Sequence, residues 1–223
     1  MIKKSLLVLI LLVVAVVATF YVIGKGWLGQ AWDSPAPVAG PRPQPAPAGE
    51  AGEPRILFGD LHTHTDYSID AAIFNTKLKK SVGNTTPGDA CDFARYCAAL
   101  DFWSINDHAE GLTPRVWADT LSSIRACNAQ AGDPANPDMV SFVGWEWSNG
   151  NRGDVARHYG HKNVIFRTWE EGQAPVRPIA SADQYALTRA PAVLVGLLSL
   201  VDSVKAAATL GWYMDESRGV LAC

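Results

Sequence analysis

Hydrophobic and polar positions divide the chain into three regimes. The first is an uncharged run from Ser5 to Gly24, dominated by Leu, Val and Ile, behind Met1-Ile-Lys-Lys. About 20 such residues span a bilayer as a helix, whereas the apolar core of a secretory signal is roughly 7–15 residues long. The pattern therefore predicts an uncleaved signal anchor over residues 1–24, with cleavage near Gly29-Gln30-Ala31 as the alternative. Lys3 and Lys4 place the N-terminus in the cytoplasm and send the rest outward, an asymmetry that Lys25 weakens. The second regime, residues 25–54, turns to Pro, Ala and Gly with almost no large apolar residue after Val38. Such a segment buries no core and favours extended polyproline II geometry, so it predicts a linker that holds a folded domain off the membrane.

The third regime, residues 55–223, carries the periodicities of a globular domain. Ile56-Leu57-Phe58 leads into Gly59-Asp60-Leu61-His62-Thr63-His64-Thr65, which is predicted as a strand. Asn84-Thr-Thr-Pro87-Gly88 reads as a turn into a helix from Asp89 to Leu100, with Phe93, Tyr96, Cys97 and Leu100 as its apolar face. A short strand from Asp101 follows and ends in Asp107-His108. Thr113-Pro114 opens a second helix striped by Val116, Trp117, Leu121, Ile124 and Cys127, which the Gly- and Pro-rich residues 132–137 stop. A third strand, Met139 to Trp147, reaches Glu146. This strand–helix alternation predicts an α/β fold with a parallel sheet or barrel. No room is left for a crossover before the run Lys162 to Phe166, so a hairpin is expected, and it returns His161 beside Glu146. Ala182 to Met214 is largely apolar and predicts a buried helix, its greasiest part too short for a second membrane span.

Composition narrows the choice of partners. With 48% hydrophobic residues and a formal charge of -3, the chain has no basic stripe or block, which argues against nucleic acid and for small molecules. Cys91, Cys97, Cys127 and Cys223 match no Cys-x-x-Cys metal spacing. Outside the cytoplasm, the helix carrying Cys91 and Cys97 can be joined to the one carrying Cys127 by a disulfide; buried free thiols are the alternative.

The histidines change the picture most. All five, His62, His64, His108, His158 and His161, fall in one stretch of the chain. On a strand, His62 and His64 project to the same side roughly 6–7 Å apart and can converge on one cation; two partly exposed strand-end histidines are the plainer alternative. His108, Glu146 and His161 then fall at the ends of successive strands, with Asp70 and Asp107 near them in sequence. These are the nitrogen and carboxylate donors that Zn, Mn or Fe sites use. A carboxylate such as Glu146 can bridge two cations, which together activate water. Asp60, two residues before His62, is expected on the same face, able to accept a hydrogen bond from a ligating imidazole or to sit in water. Asp107 is either a ligand or a support to one. Trp145 and Trp147 face away from Glu146 into packing, and Arg152, Arg157 and Lys162 are loop charges that can hold an anionic substrate.

Several of these segments together resemble a known family. Gly59-Asp-Leu-His-Thr-His-Thr with Tyr67-Ser68 and Asp70, Ile105-Asn-Asp-His108, Gly144-Trp-Glu146 and His161 look like the first four motifs of the PHP (polymerase and histidinol phosphatase) metal-dependent phosphoesterase superfamily. The longer text, including Leu100-Asp-Phe-Trp-Ser-Ile-Asn-Asp-His-Ala-Glu110 and His158-Tyr-Gly-His-Lys-Asn-Val-Ile-Phe-Arg167, resembles the DUF3604 branch. The resemblance implies a distorted (β/α)7 barrel with two or three divalent metals at its mouth. Carried over by motif, His62, His64, His108, Glu146 and His161 match ligand positions. Asp70 matches another, with Ile69 intervening where the family has Ser-Asp-Gly. The family also draws ligands from a later histidine and an Asp-x-His, and no histidine follows His161 here. The expectation is the N-terminal part of a PHP-like barrel within a longer protein.

These readings converge on an expected function. It is a metal-dependent hydrolase anchored in the inner membrane and facing the periplasm or cell exterior, acting on phosphate esters of small anionic molecules through a metal-activated water. Glu146 and His108 stand at its catalytic centre, and His62, His64, Asp70, Asp107, His108, Glu146 and His161 hold the metals. The alternatives are a metal-dependent amidohydrolase-type enzyme and a non-catalytic, metal-stabilised binding module.

Overall fold

The structure, a computed structural model, describes residues 2–28, 36–37, 56–68, 70, 85–149, 155–168, 170, 172–181, 191–200, 204, 207–208 and 211. Most of the Pro-rich linker, Gly29-Gln30-Ala31, Arg152, residues 182–190 and Cys223, on which sequence expectations fell, lie outside the described residues. The chain divides into two units, one of residues 1–32, 73–82 and 185–219, the other of residues 33–72, 83–184 and 220–223.

The first unit is organised on α1 (Ile2–Gly24), apolar on all sides and free of Pro. Its Lys4–Gly24 stretch, with mean hydropathy 3.2, is long and apolar enough to cross a membrane, consistent with an anchor or a signal sequence. Near its C-terminal end a second helix of this unit, called α4 below (Ala192–Leu197), packs through small residues: a Cβ added to Gly196 would run into the Phe20 backbone. The sequence predicts a buried helix over Ala182 to Met214, of which the described part is helical at Ala192–Leu197 and buried on one side only. Val195 and Gly196 are buried, but Leu194, Leu197 and Leu200 are exposed. Close backbone approach puts the small positions inside and turns the leucines out.

The second unit is a mixed α/β arrangement with a curled, half-barrel sheet of four strands in the order β1-β2-β3-β4. β1 (Gly59–Thr63), β2 (Phe102–Ile105) and β3 (Val140–Asn149) run parallel, and β4 (Gly160–Phe166) returns antiparallel to β3. The hairpin expected from the short connection is therefore present, with Ser148 opposite His161 and Asn149 opposite Gly160. The strand predicted from Ile56 starts later. Ile56, Leu57 and Phe58 are exposed, although Phe58 and Asp101 still exchange hydrogen bonds of 2.9 and 2.7 Å ahead of the ladder.

Between β1 and β2 stands α2 (Pro87–Asp92), opened by a capping box in which Thr86 and Asp89 satisfy each other's backbone N–H groups. It passes into a π-helical turn, Phe93–Cys97. The apolar face predicted from Phe93, Tyr96, Cys97 and Leu100 is not the one that packs: Phe93 is 61% exposed, and Ala90, Cys91, Ala94 and Arg95 are buried instead. Two attachments explain the rotation. Cys91 forms a disulfide with Cys127, and Arg95, 1% exposed, reaches Asp138 at 2.7 Å and the Gln130 carbonyl. A charge-assisted bond from a buried guanidinium outranks the burial of one more aromatic ring. Cys97 remains a free, exposed thiol.

The second crossover is α3 (Pro114–Ala129), capped by Thr113 with Pro114 in its first turn. Val116, Trp117, Ile124 and Cys127 are buried as the periodicity predicts, with Thr120 and Ser123 between them. Its end is tied to β3 by Asn128, whose amide accepts from Ser141 N–H at 3.0 Å and donates to the Ser141 carbonyl at 2.9 Å. Trp145 packs edge-on against Trp117, as expected for a side chain turned away from Glu146.

Two substitutions test this account. A Cβ on Gly144 would meet the Val164 carbonyl and, at 2.8 Å, the Asn106 amide, so Gly144→Ala should destabilise by about 1–3 kcal/mol through over-packing of the β3–β4 pair. Ala99 closes the π-helical turn with φ 53°, a conformation suited to glycine, so Ala99→Gly should stabilise by about 0.5–1 kcal/mol. Urea unfolding of the two variants should shift the midpoint in opposite directions.

Candidate metal centre

The three parallel strands all deliver donors from their C-terminal ends. At β1 the ladder slips between Asp60 and Thr63: three residues on β1 are spanned by two, Trp103 to Ile105, on β2. Such a bulge re-aims the side chain at its centre, and His62 turns in with His64, their Nε2 atoms 3.0 Å apart. Of the two alternatives for Asp60, the exposed carboxylate is the one present. Its Oδ1 accepts from the His62 backbone N–H at 2.9 Å rather than from the imidazole. Beyond β2, the bridge between His108 and Glu146 and the Glu146 N–H to Asp107 carbonyl bond of 3.0 Å extend the parallel pairing, fixing His108 beside Glu146.

Glu146 is the hub. Its side chain is 2% exposed. Oε2 lies 2.8 Å from His62 Nε2 and 2.7 Å from His64 Nε2, while Oε1 faces His161 Nδ1 at hydrogen-bond range and His108 Nδ1 at 3.9 Å. His64 Nδ1 lies 2.9 Å from Asp70 Oδ2, which stands 3.8 Å from His108 Nε2. Among the described residues three groups can hold a metal ion: His62, His64 and Glu146; His64, Asp70 and His108; and His108, Glu146 and His161, with the donor atoms of each group within 4.8 Å of one another. Six of the seven residues singled out as ligands thus come together.

Asp107 does not join a group. It is fully buried, and its two oxygens accept from the Thr65 N–H and, at 2.7 Å, from the Thr65 hydroxyl. It holds in place the turn that follows His64. His158 is exposed and outside all three groups. Arg157 is exposed, and Lys162 donates to the Tyr159 and His161 carbonyls at 2.7 and 3.4 Å.

Three polar residues escaped the sequence reading. Ser148 Oγ sits among His108 Nδ1, His161 Nδ1 and Glu146 Oε1 at 2.8, 3.0 and 3.1 Å. Its position two residues after Glu146 on one strand was the available signal. Ser68 Oγ accepts from the His108 N–H at 3.1 Å and lies 3.2 Å from His64 Nδ1. Glu110, 1% exposed in the 3₁₀ turn Ala109–Gly111, stands 3.8 Å from His108 Nδ1. A cavity of about 650 Å³ opens beside the cluster between β1 and α2, walled by Phe93, Ala94, Leu100 and Trp103 and reaching Asp60 and His64.

Electrostatics separate the acids into two kinds. Burial acts to raise the pKa of Asp70 and Glu146, but hydrogen bonds from His64 outweigh it, and both stay well below the usual carboxylate range. Burial acts to lower that of His64, but the bonds to Asp70 and Glu146 hold it up at about 10. Burial pulls His108 down, toward the neutral form that offers a lone pair. Asp66, Asp107 and Glu110 are pushed up by burial, to about 6, 6 and 7. A half-barrel whose strand ends gather four imidazoles and two ionised carboxylates is suited to divalent cations.

The chain's sequence carries a family match in the same region. A family model described as a protein of unknown function (DUF3604) matches residues 51–126, which include His62, His64, Asp70, His108 and Glu110 and support placement in that family. Glu146 and His161 lie beyond the match. No curated protein and no solved structure matches the chain.

The metal-free protein should be less stable at pH 8 than at pH 5. Asp66, Asp107 and Glu110 have folded pKa values above the unfolded ones, so their contribution is complete below about pH 4 and is lost as pH rises through 6 to 7. His64 acts in the same direction, its contribution present below its unfolded value of 6.5 and lost as pH rises toward about 10. His108, whose pKa burial lowers, acts oppositely within this window, one group against four. Asp70 and Glu146 also act oppositely, but their contribution is lost only as pH falls below the unfolded carboxylate range. Urea midpoints measured in chelator at the two pH values check the sign.

Proposed function

We propose that the protein is a metal-dependent hydrolase of phosphate esters, held at a membrane with its catalytic unit outside the cytoplasm, and that the half-barrel belongs to a PHP-like (β/α)7 barrel. The observation that carries this reading is the division of one buried carboxylate between two donor groups. Glu146 turns Oε2 to His62 and His64 and Oε1 to His108 and His161. Two imidazole nitrogens 3.0 Å apart beside one carboxylate oxygen share space that a proton or a cation must occupy, so the donor set fits a metal. A carboxylate shared in this way is how paired cations are held close together.

Divalent cations such as Zn, Mn or Fe, two or three in number, would supply Lewis acidity toward water and toward a phosphoryl oxygen. The chain's own residues do the rest. His64, His108 and Glu146 form the inner part of the cluster, and Asp70 adds a second ionised carboxylate beside His64. His62 and His161, 51% and 55% exposed, stand at the open side where a substrate enters. Turnover depends most on Glu146 and His108, which with His64 are the residues shared between donor groups. Arg157 and Lys162 lie on the hairpin beside His161 and suit an anionic substrate. The Cys91–Cys127 disulfide supports an oxidising compartment, in keeping with export behind α1.

The full chain, purified in detergent, should carry two or more equivalents of Zn, Mn or Fe by elemental mass spectrometry. Replacing His62 and His64 together by Ala should remove at least one equivalent. His108→Ala should lower hydrolysis of p-nitrophenyl phosphate at least 100-fold. Metal bound without turnover of any phosphomonoester or diester would favour a metal-stabilised binding module; absence of bound metal after purification in its presence would overturn the reading.

A further inference from the structure

The first unit packs small residues inward and turns large apolar ones outward, the reverse of a core formed in water. α1 and α4 meet backbone to backbone: a Cβ on Gly24 would strike the Ala192 carbonyl, and one on Gly196 would strike Phe20. A Cβ on Gly211 would strike the Gly24 carbonyl, and Ala207 and Ala208 are buried with Ile23. In lipid, where apolar side chains gain nothing by leaving their solvent, helices associate through small residues that let the backbones approach.

The outward side of α4 is an apolar face. Leu194, Leu197 and Leu200 recur every third residue through the helix and the 3₁₀ turn Leu198–Leu200 that follows it, and they are 58%, 37% and 70% exposed. Residues 190–201 hold no charged side chain. An apolar stretch of roughly 10–14 residues is too short to span a bilayer and suits either a buried core helix or an interfacial segment. The exposed leucines exclude the core helix.

The place of α4 on α1 decides what covers that face. Its contacts with Phe20 and Gly24 fall at the C-terminal end of α1, beside Tyr21 and Trp27, whose exposed rings stand edge-on with centroids 6.1 Å apart. Aromatic rings at the end of an apolar span mark the level of the lipid headgroups. On the N-terminal side of that level Leu9, Leu12, Val13 and Val16 are exposed, and only 6% of the most apolar stretch of α1 is buried. The leucines of α4 continue this apolar surface at the edge of the hydrocarbon.

We propose that α4 is a second membrane element, seated at the headgroup boundary of the leaflet that holds the C-terminal end of α1, with Leu194, Leu197 and Leu200 in contact with phospholipid. It rests on the reading of α1 as a membrane anchor and is independent of the metal centre.

The test is electron spin resonance of the full chain in vesicles of phosphatidylethanolamine and phosphatidylglycerol. Cys97 and Cys223 are replaced by Ser, and one spin label is placed through Leu194→Cys, Leu197→Cys or Leu200→Cys, with Val13→Cys on α1 as the lipid reference. Oxygen concentrates in lipid and a nickel chelate stays in water, so their collision rates with the label report its surroundings. The expected result is that most of the α4 labels collide more often with oxygen than with nickel, as Val13→Cys does. Nickel in excess at most α4 sites, with oxygen in excess at Val13→Cys, overturns the proposal and leaves α1 in the membrane. Shielding of most α4 labels from both colliders overturns it too, because a second copy or another part of the chain then covers the face. Nickel in excess at Val13→Cys, or loss of that label by cleavage, defeats the anchor reading itself. The three sites are independent, so where one variant fails to fold the other two decide.

Discussion

A buried negative charge at the end of β3 is the constraint from which the rest of the second unit follows. Glu146 is nearly sealed from solvent, and an isolated carboxylate there would be neutralised or expelled. It stays ionised because imidazoles from β1, from the turn after β2 and from β4 all reach it. The sheet order, the hairpin and the bulge in β1 can each be understood as ways of bringing one of those imidazoles within range. The polar residues around them, Ser68, Ser148 and Thr65, then fix ring orientations and the turn that carries His64.

The strand ends were legible from sequence because local pattern and chemistry coincide there. Apolar runs stopped at His62, His108 and Glu146, and the short connection before Lys162 permitted only a hairpin, which brought His161 back to Glu146 without any long-range information. The helix stripe of α3 was equally plain, since its buried positions are mostly apolar. Legibility failed where a polar residue took a buried place. Arg95 occupies the core side of the turn after α2 because Asp138 and the Gln130 carbonyl receive it, and those partners lie 35 or more residues away. No periodicity in the helix itself announces such a partner.

The same limitation separates Asp107 from Asp70. Both are carboxylates close in sequence to histidines of the cluster, and sequence distance ranks Asp107 higher. The fold decides otherwise: Asp107 spends its oxygens on Thr65, and Asp70 comes back against His64 through the turn that Thr65 anchors. Asp60 shows how a single inserted residue defeats alternation, since the slip in β1 changes which face each neighbour occupies. In the described part of the C-terminal apolar segment, the helix was legible but its buried side was not. Hydrophobicity announces that a surface will be covered, and Gly196 rather than the leucines supplies the surface that α4 applies to α1.

The disulfide joins residues on either side of β2, one in the helix before it and one in the helix after it. It therefore closes a covalent ring that contains β2, Asp107, His108 and Glu110, with β1 entering from one end and β3 leaving from the other. A single peptide cut anywhere inside that ring leaves the chain as one molecule. The residues before Cys91 and those after Cys127 would remain tethered to each other, so a chain nicked across its second crossover would still keep His62, His64, Glu146 and His161 on one covalent body.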